Sequence, residues 1–403
     1  MWPLQRARAL VDPAGLFAGR VMLERDAGLR ARRLAATARD AVVQRVRATR
    51  PPMRALVLLQ GGRLRWRHVP APASPDARAA VVHPIAVATC DMDRPLALGA
   101  TPFPTPLRFG HECVAEVLSV GSEVTSVSPG RRVVVPFQVS CGTCAPCRAG
   151  RTANCHSVPP ISMYGFGVTG GHWGGALSDE LAVPFADGML VPLPVGVDPA
   201  AAASVADNVS DGYRHVAPHV AELLAREGDP SVLIVGAMTP RHLYAASVSL
   251  YAGLTAKALG IRDVVLADAR PEVRDQAGAL GLAAVAPDDL GRGRLFPLVA
   301  DVSATPRGLG YALSRTAPDG RCSSAGTLHA AARIPAALMY GRNATLTIAR
   351  AHARALIPGV LALITSGRLQ PERVTTAVAS IDDAPAALAE HMRAGTTKTI
   401  LTA

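Results

Sequence analysis

Four cysteines within fifteen residues, Cys141-x2-Cys144-x2-Cys147-x7-Cys155, constrain this chain more than any other feature. They lie on a Gly/Pro/Ala-rich stretch, and thiolates so close together can wrap one tetrahedral Zn²⁺ at about 2.3 Å per Zn–S bond. A ferredoxin-type iron–sulfur run has x2, x2, x3 spacing followed by Pro, which this stretch lacks. Four thiolates leave no open coordination position, so the expected role is to hold a lobe together, not to catalyse. The chain has 7 Cys in all, an odd number, with no hydrophobic signal segment. That favours metal binding over a disulfide framework, and a reducing, cytoplasmic compartment over secretion.

A chain of 403 residues suits two domains better than one. No apolar run approaches the roughly 18 residues a membrane span needs; residues 355–365 come nearest and are broken by Pro358 and Gly359. The net charge of +11 invites a nucleic-acid partner, but +7 of it falls in residues 1–52, through 11 Arg against Asp12, Glu24, Asp26 and Asp40. No basic stripe with interleaved aromatics follows, so neither nucleic acid nor membrane is expected as a partner. Lysine is used only twice, at Lys257 and Lys398.

Residues 1–52 read as an Arg-rich extension, with an amphipathic helix over 16–47 that ends before Pro51-Pro52. A transit peptide is one reading; a helical appendage, or a true start at Met53, fits the four acids better. From Met53, short β-branched runs (54–59, 79–87, 114–120, 132–139) alternate with turns, the mark of a β-rich domain. Between about 199 and 350, helical stretches (199–206, 245–259, 271–280) alternate with apolar strands (232–235, 264–267, 298–302). Such alternation implies parallel βαβ units. A helix over 352–365 and a strand over 399–401 close the chain.

A cysteine lobe of this spacing, downstream of Gly110-His111-Glu112 and upstream of βαβ units, resembles the zinc-dependent alcohol dehydrogenases of the medium-chain dehydrogenase/reductase superfamily, over about residues 53–403. The resemblance implies an α/β chain: a GroES-like β-rich catalytic domain (53–209 and 350–403) and a Rossmann-like doubly wound parallel-sheet domain (210–349). It implies a second, catalytic zinc held by Cys90, His111 and Asp207. Three protein ligands leave one position at which a substrate oxygen is polarised. By the same resemblance Glu112 is the carboxylate that replaces the metal-bound water, and Asp93 hydrogen-bonds the His111 imidazole. Cys113 and Cys322 match nothing and are expected to be buried.

Two departures stand out. The family carries Ser or Thr two positions after the first cysteine, to relay a proton; here that residue is Met92, leaving water or Asp91 to substitute. The phosphate-binding turn after strand 231–235 reads Gly236-Ala-Met-Thr-Pro-Arg-His against Gly-x-Gly-x-x-Gly, with Met238 where backbone would meet the pyrophosphate. Asp268, the expected ribose acid, is 32 positions from Gly236 where about 20 are usual. The excess implies an insertion of roughly eight or more residues, with Ser249 near the third glycine. Asp268 favours NAD(H), whereas Arg270 and Arg274 would suit the 2′-phosphate of NADP(H). Tyr164, His172 and Trp173, beside the glycine-rich 170–175, are candidate pocket residues.

The expected function is therefore zinc-dependent interconversion of an alcohol with an aldehyde or ketone, by hydride transfer with a nicotinamide cofactor. The altered turn leaves two rivals: a non-redox zinc Lewis-acid enzyme (cyclisation, elimination or isomerisation), and a non-catalytic scaffold subunit. A small-molecule substrate and a homodimer or homotetramer are implied in the enzymatic readings.

Overall fold

The computed structural model describes residues 50–403 apart from 102, 168, 169, 172, 292, 327–330, 394 and 395. The helix expected over 16–47 and the place of His172 lie outside the described residues.

Strands β1 (Met53–Leu59), β2 (Arg63–Val69), β3 (Ala80–Ala88), β4 (Leu107–Arg108), β5 (Glu112–Val120), β6 (Arg132–Val135), β7 (Leu181–Val183) and β8 (Val191–Pro192) build the β-rich part. A short helix α1 (Asp93–Ala97) follows β3, and α2 (Ala145–Arg148) lies in the cysteine lobe. The chain then enters α3 (Asn208–Glu227), followed by β9 (Ser231–Val235), α4 (Ser247–Ala258), β10 (Asp263–Ala267), α5 (Pro271–Ala279), β11 (Ala283–Val285) and β12 (Phe296–Asp301). Next come α6 (Pro306–Arg315), β13 (Thr316–Ser324), α7 (Ala336–Arg342) and β14 (Thr345–Ile348). Helix α8 (Ala353–Thr365), β15 (Ala377–Ser380), α9 (Ala384–His391) and β16 (Thr399–Thr402) return to the β-rich part.

A three-stranded sheet runs β2-β1-β4, and a seven-stranded one runs β15-β16-β3-β5-β6-β8 with β7 beside β3. The six-stranded sheet, in order β11-β10-β9-β12-β13-β14, is parallel throughout. Renumbered from its own first strand, that order is 3-2-1-4-5-6, the doubly wound dinucleotide-binding topology, with its crevice at the carboxyl ends of β9 and β12. Val232–Val235 and Val264–Ala267 are buried on both faces, which is why they read as continuous apolar runs without alternation. Strand β2 hid from a hydrophobicity reading, because Arg63, Arg65 and Arg67 alternate with Leu64 and Trp66 along it. Cys113 and Cys322 are buried, as expected. Among the described residues no helix is long and apolar enough to cross a membrane.

Two core histidines give the fold an acid liability. Burial, with Arg214 nearby, lowers His215 to about 3; burial, Lys398 and Arg94 lower His391 to about 3. Unfolded imidazoles protonate near 6.5, so between that pH and about 3 the unfolded chain binds more protons than the folded one. Stability is expected to fall as pH drops below about 6.5, by up to about 1.4 kcal/mol per pH unit per histidine. Urea midpoints at pH 7.5, 6 and 5 read this directly; an unchanged midpoint would contradict it.

Candidate active site and metal centres

The antiparallel pairing of β3 with β5 sets Ala88 opposite Glu112, so the residues just beyond β3 and just before β5 meet at one end of the sheet. Cys90 follows β3, and His111 precedes β5. Gly110 turns the chain there at φ +88°, where a side chain would press on the Leu177 backbone. Asp207 comes from far along the sequence. It stands in a non-helical conformation at the break between the 3₁₀ turn Ala203–Ala206 and α3. Strand β16 pairs with β3, Ile400 opposite Ala88, which brings Lys398 in from behind.

Cys90, His111, Glu112 and Asp207 are all buried, and each presents a ligand atom within 4.8 Å of the others. Asp207 Oδ2 is 3.4 Å from Cys90 Sγ and 3.4 Å from His111 Nε2. Both ring nitrogens of His111 and Oε1 of Glu112 are buried without a hydrogen-bond partner. Unmet buried polar atoms are costly, and a cation among them removes the cost. The donor set of sulfur, nitrogen and oxygen fits zinc, whether three ligands leave an open position or Glu112 fills it. Burial, together with Asp207, Glu112 and Asp93, raises the Cys90 thiol well above its ordinary value. Its ionisation is therefore coupled to arrival of a metal.

The shell around these residues differs from the expectation in one respect. Asp93 Oδ2 accepts from the Cys90 backbone N–H at 2.8 Å, while Asp93 Oδ1 and His111 Nδ1 are each buried without a hydrogen-bond partner. Asp93 thus anchors the Cys90 backbone and does not hydrogen-bond the imidazole. His111 is held instead by Phe166 and Phe137, ring centroids 4.8 and 5.9 Å away. Asn208 was not anticipated: its Nδ2 donates to Cys90 Sγ at 3.3 Å, and its Oδ1 accepts from Lys398 Nζ at 2.8 Å. Lys398 Nζ also lies 3.3 Å from Glu112 Oε2. The rarity of lysine in an arginine-rich chain was the one signal that could have singled it out.

Burial alone would lower Lys398, but Glu112, Tyr251, Asp91 and Cys90 hold it above its ordinary value. Removing one partner of a buried pair strands the other's charge, at about 3–5 kcal/mol. Lys398→Met is therefore expected to lower stability by about that much, as read from denaturant midpoints. A change under about 1 kcal/mol would show that the pair is dispensable.

In the cysteine lobe the four sulfurs of Cys141, Cys144, Cys147 and Cys155 also lie within 4.8 Å of one another, and none of the seven cysteines forms a disulfide. Backbone N–H groups of Cys141, Cys144 and His156 donate to these sulfurs at 3.3–3.4 Å. Against its burial, donors from Ser157, Thr143 and the Cys144 backbone push Cys141 down to about 5. Burial pushes Cys147 up to about 12 and raises Cys155, so four thiolates stand together here only around a cation, and the set fits a zinc with no open position.

The expected cofactor residues are placed differently. Met238 does not obstruct the phosphate turn: it turns inward and packs in the sheet core with Leu233, Val235 and Phe296, a direction the spacing alone did not give. Ser249 is inside α4, its hydroxyl donating to Ala246 O at 2.8 Å. Gly236 follows β9 and packs against Asp268, whose Oδ2 would lie 2.3 Å from a Cβ there. Arg270 is paired with Asp268 at 2.8 Å. Asp91 does not substitute as a proton relay, because both its oxygens accept from the start of α4. Tyr164 is buried, donating to Ala182 O at 2.9 Å, and Trp173 borders an outer cavity of about 240 Å³ beside Pro70–Asp76.

A β-rich unit with a four-cysteine cage and a mixed-donor cluster that could each hold a metal, joined to a 3-2-1-4-5-6 parallel sheet, is the architecture of a zinc-dependent dehydrogenase of the medium-chain type. Comparison with known proteins agrees. Residues 76–195 match the alcohol dehydrogenase GroES-like domain. The chain is 29% identical over 340 residues to a "Probable zinc-binding alcohol dehydrogenase" of Mycobacterium tuberculosis, covering 82% of this chain and 83% of that one. The alcohol dehydrogenase of Thermus sp. ATN1 superposes with a TM-score of 0.77 at 29% identity, over 87% of this chain and 99% of that one. The acetophenone reductase of Geotrichum candidum, solved with NAD, superposes at 0.70 and 21% identity over 88% and 98%, a likeness of fold. These similarities support a zinc-dependent, alcohol dehydrogenase-like member of the medium-chain dehydrogenase/reductase superfamily, and the chain is a zinc-dependent oxidoreductase. The similarities favour that reading over a non-redox enzyme.

Proposed function

We propose that the chain interconverts an alcohol with its aldehyde or ketone, with a catalytic zinc held by Cys90, His111 and Asp207 and a structural zinc held by Cys141, Cys144, Cys147 and Cys155. The observation that carries this is the convergence of Cys90, His111, Glu112 and Asp207 within 4.8 Å, around an imidazole whose nitrogens have no other partner. When bound, zinc supplies Lewis acidity toward a substrate oxygen. The chain's own residues do the rest. Asp93 fixes the Cys90 backbone, and Asn208 fixes the sulfur. Burial raises the Glu112 carboxyl well above the usual carboxylate range, and Lys398, 3.3 Å away, works against that shift and would favour the carboxylate form beside a bound metal. Phe137 and Phe166, tilted on His111, offer an apolar wall that suits a substrate with a hydrocarbon substituent. Met92 brings no proton-carrying group, so it takes no part in removing the hydroxyl proton.

Turnover of a panel of primary and secondary alcohols, and of their carbonyl counterparts, by zinc-loaded protein tests this. Zinc-dependent turnover of at least one pair is expected, and none from any pair would contradict it. The end strand β14, with Ile348 exposed, and the neighbouring Tyr340 support assembly with a second copy. A homodimer or homotetramer is the expected mass in analytical sedimentation.

A further inference from the structure

In a 3-2-1-4-5-6 sheet a dinucleotide rests its pyrophosphate on the N-terminus of the helix after the first strand, and its ribose on an acid ending the second. In this chain both places are taken by the chain itself. Ser247 N and Val248 N, at the start of α4, each donate to the Asp91 carboxylate at 3.1 Å, and the Ser247 hydroxyl donates to it as well. Asp91 comes from the other part of the molecule, between β3 and α1, and is buried. At the ribose position Asp268 is fully buried and receives four donors. Arg270 N and Nε reach Oδ1, both at 2.9 Å. Arg270 Nη2 and Ala237 N reach Oδ2, at 2.8 and 3.0 Å. A carboxylate has about four acceptor sites, so none is left for a ribose hydroxyl. Arg270 Nη1 also donates to Tyr244 O at 2.9 Å, fastening the 237–246 segment across the crevice. A nicotinamide dinucleotide does not fit while these contacts stand, because its phosphates and the Asp91 carboxylate would claim the same N–H groups.

We propose that Asp91 is a built-in competitor for the pyrophosphate, so that a nicotinamide dinucleotide binds only by displacing the Asp91 carboxylate from α4. The choice of ligand rests on the oxidoreductase reading; the contacts do not. A ligand that needs a scarce conformation loses apparent affinity in proportion to that scarcity. Removing the competing charge should restore it.

The test is a titration of the zinc-loaded full chain with NADH and with NADPH, by nicotinamide fluorescence and calorimetry, for wild type, Asp91→Gly and Asp91→Asn. Wild type is expected not to saturate by about 1 mM, and both variants are expected to bind at least about tenfold tighter. Saturation of wild type below about 100 µM, or variants no tighter than wild type, would overturn the proposal. Asparagine keeps the side chain's shape and one oxygen for the helix, so it carries the test should the glycine variant unfold. If Asp91 served only to cap α4, the variants would lose thermal stability with no gain in affinity. Because the readout is binding, it stands apart from whether any alcohol is turned over.

Discussion

Replacing His111 with alanine is expected to cut turnover by at least about a thousandfold, equivalent to about 4 kcal/mol of transition-state stabilisation, and to remove one of the two metal ions while leaving the other. Among the described residues His111 is the only nitrogen donor in its cluster; neither ring nitrogen has a hydrogen-bond partner, and Nε2 faces Asp207 at 3.4 Å. An imidazole so placed suits the metal-ligand role proposed for it. A metal's Lewis acidity contributes several kcal/mol to a reaction that develops charge on oxygen, and loss of one ligand forfeits most of it. Zinc analysis and steady-state rates on the same preparation check both halves. Unchanged zinc content with lost turnover would make His111 something other than a ligand.

Replacing Cys147 with alanine is expected to have the opposite signature: a large loss of stability with little change in turnover per folded molecule. Cys147 is buried in the lobe against Cys141 and Cys155. The lobe is tied to the returning chain by Ala153 N donating to His352 Nδ1 at 3.1 Å and by Arg350 Nη2 donating to Ala153 O at 2.9 Å. Structural zinc supplies much of the folding free energy of the loops it binds. A loss of about 3–5 kcal/mol would lower the melting temperature by roughly 10 °C in a domain of this size. Calorimetric scans with and without a chelator measure it. A melting temperature unchanged by both the variant and the chelator would mean that the cage is not a metal site.

The contrast between the two centres shows what was legible in the sequence. The thiolate cage is local: its four ligands lie within fifteen residues, and their spacing is almost the whole of its geometry. The mixed-donor cluster joins positions 90, 111 and 207, and was legible only through the Gly-His-Glu triplet and a resemblance. Its supporting residues, Asn208 and Lys398, reach Cys90 across 118 positions and Thr89 across 309, which no spacing rule captures. The parallel sheet was legible because Val232–Val235 and Val264–Ala267 are buried on both faces. The cofactor crevice was only half legible. A shortage of glycines and an insertion could be counted, but whether Met238 faced the phosphate or the core depended on the path of residues 237–246. That Asp91 caps a helix beginning 156 residues later depended on how β3 and α4 pack.

The most direct measurement is anomalous diffraction at the zinc edge from crystals of the zinc-loaded protein. Two peaks are expected per chain, one surrounded by the sulfurs of Cys141, Cys144, Cys147 and Cys155, the other among Cys90 Sγ, His111 Nε2 and a carboxylate oxygen of Asp207. A single peak, in the cysteine lobe alone, would contradict a catalytic zinc in this chain.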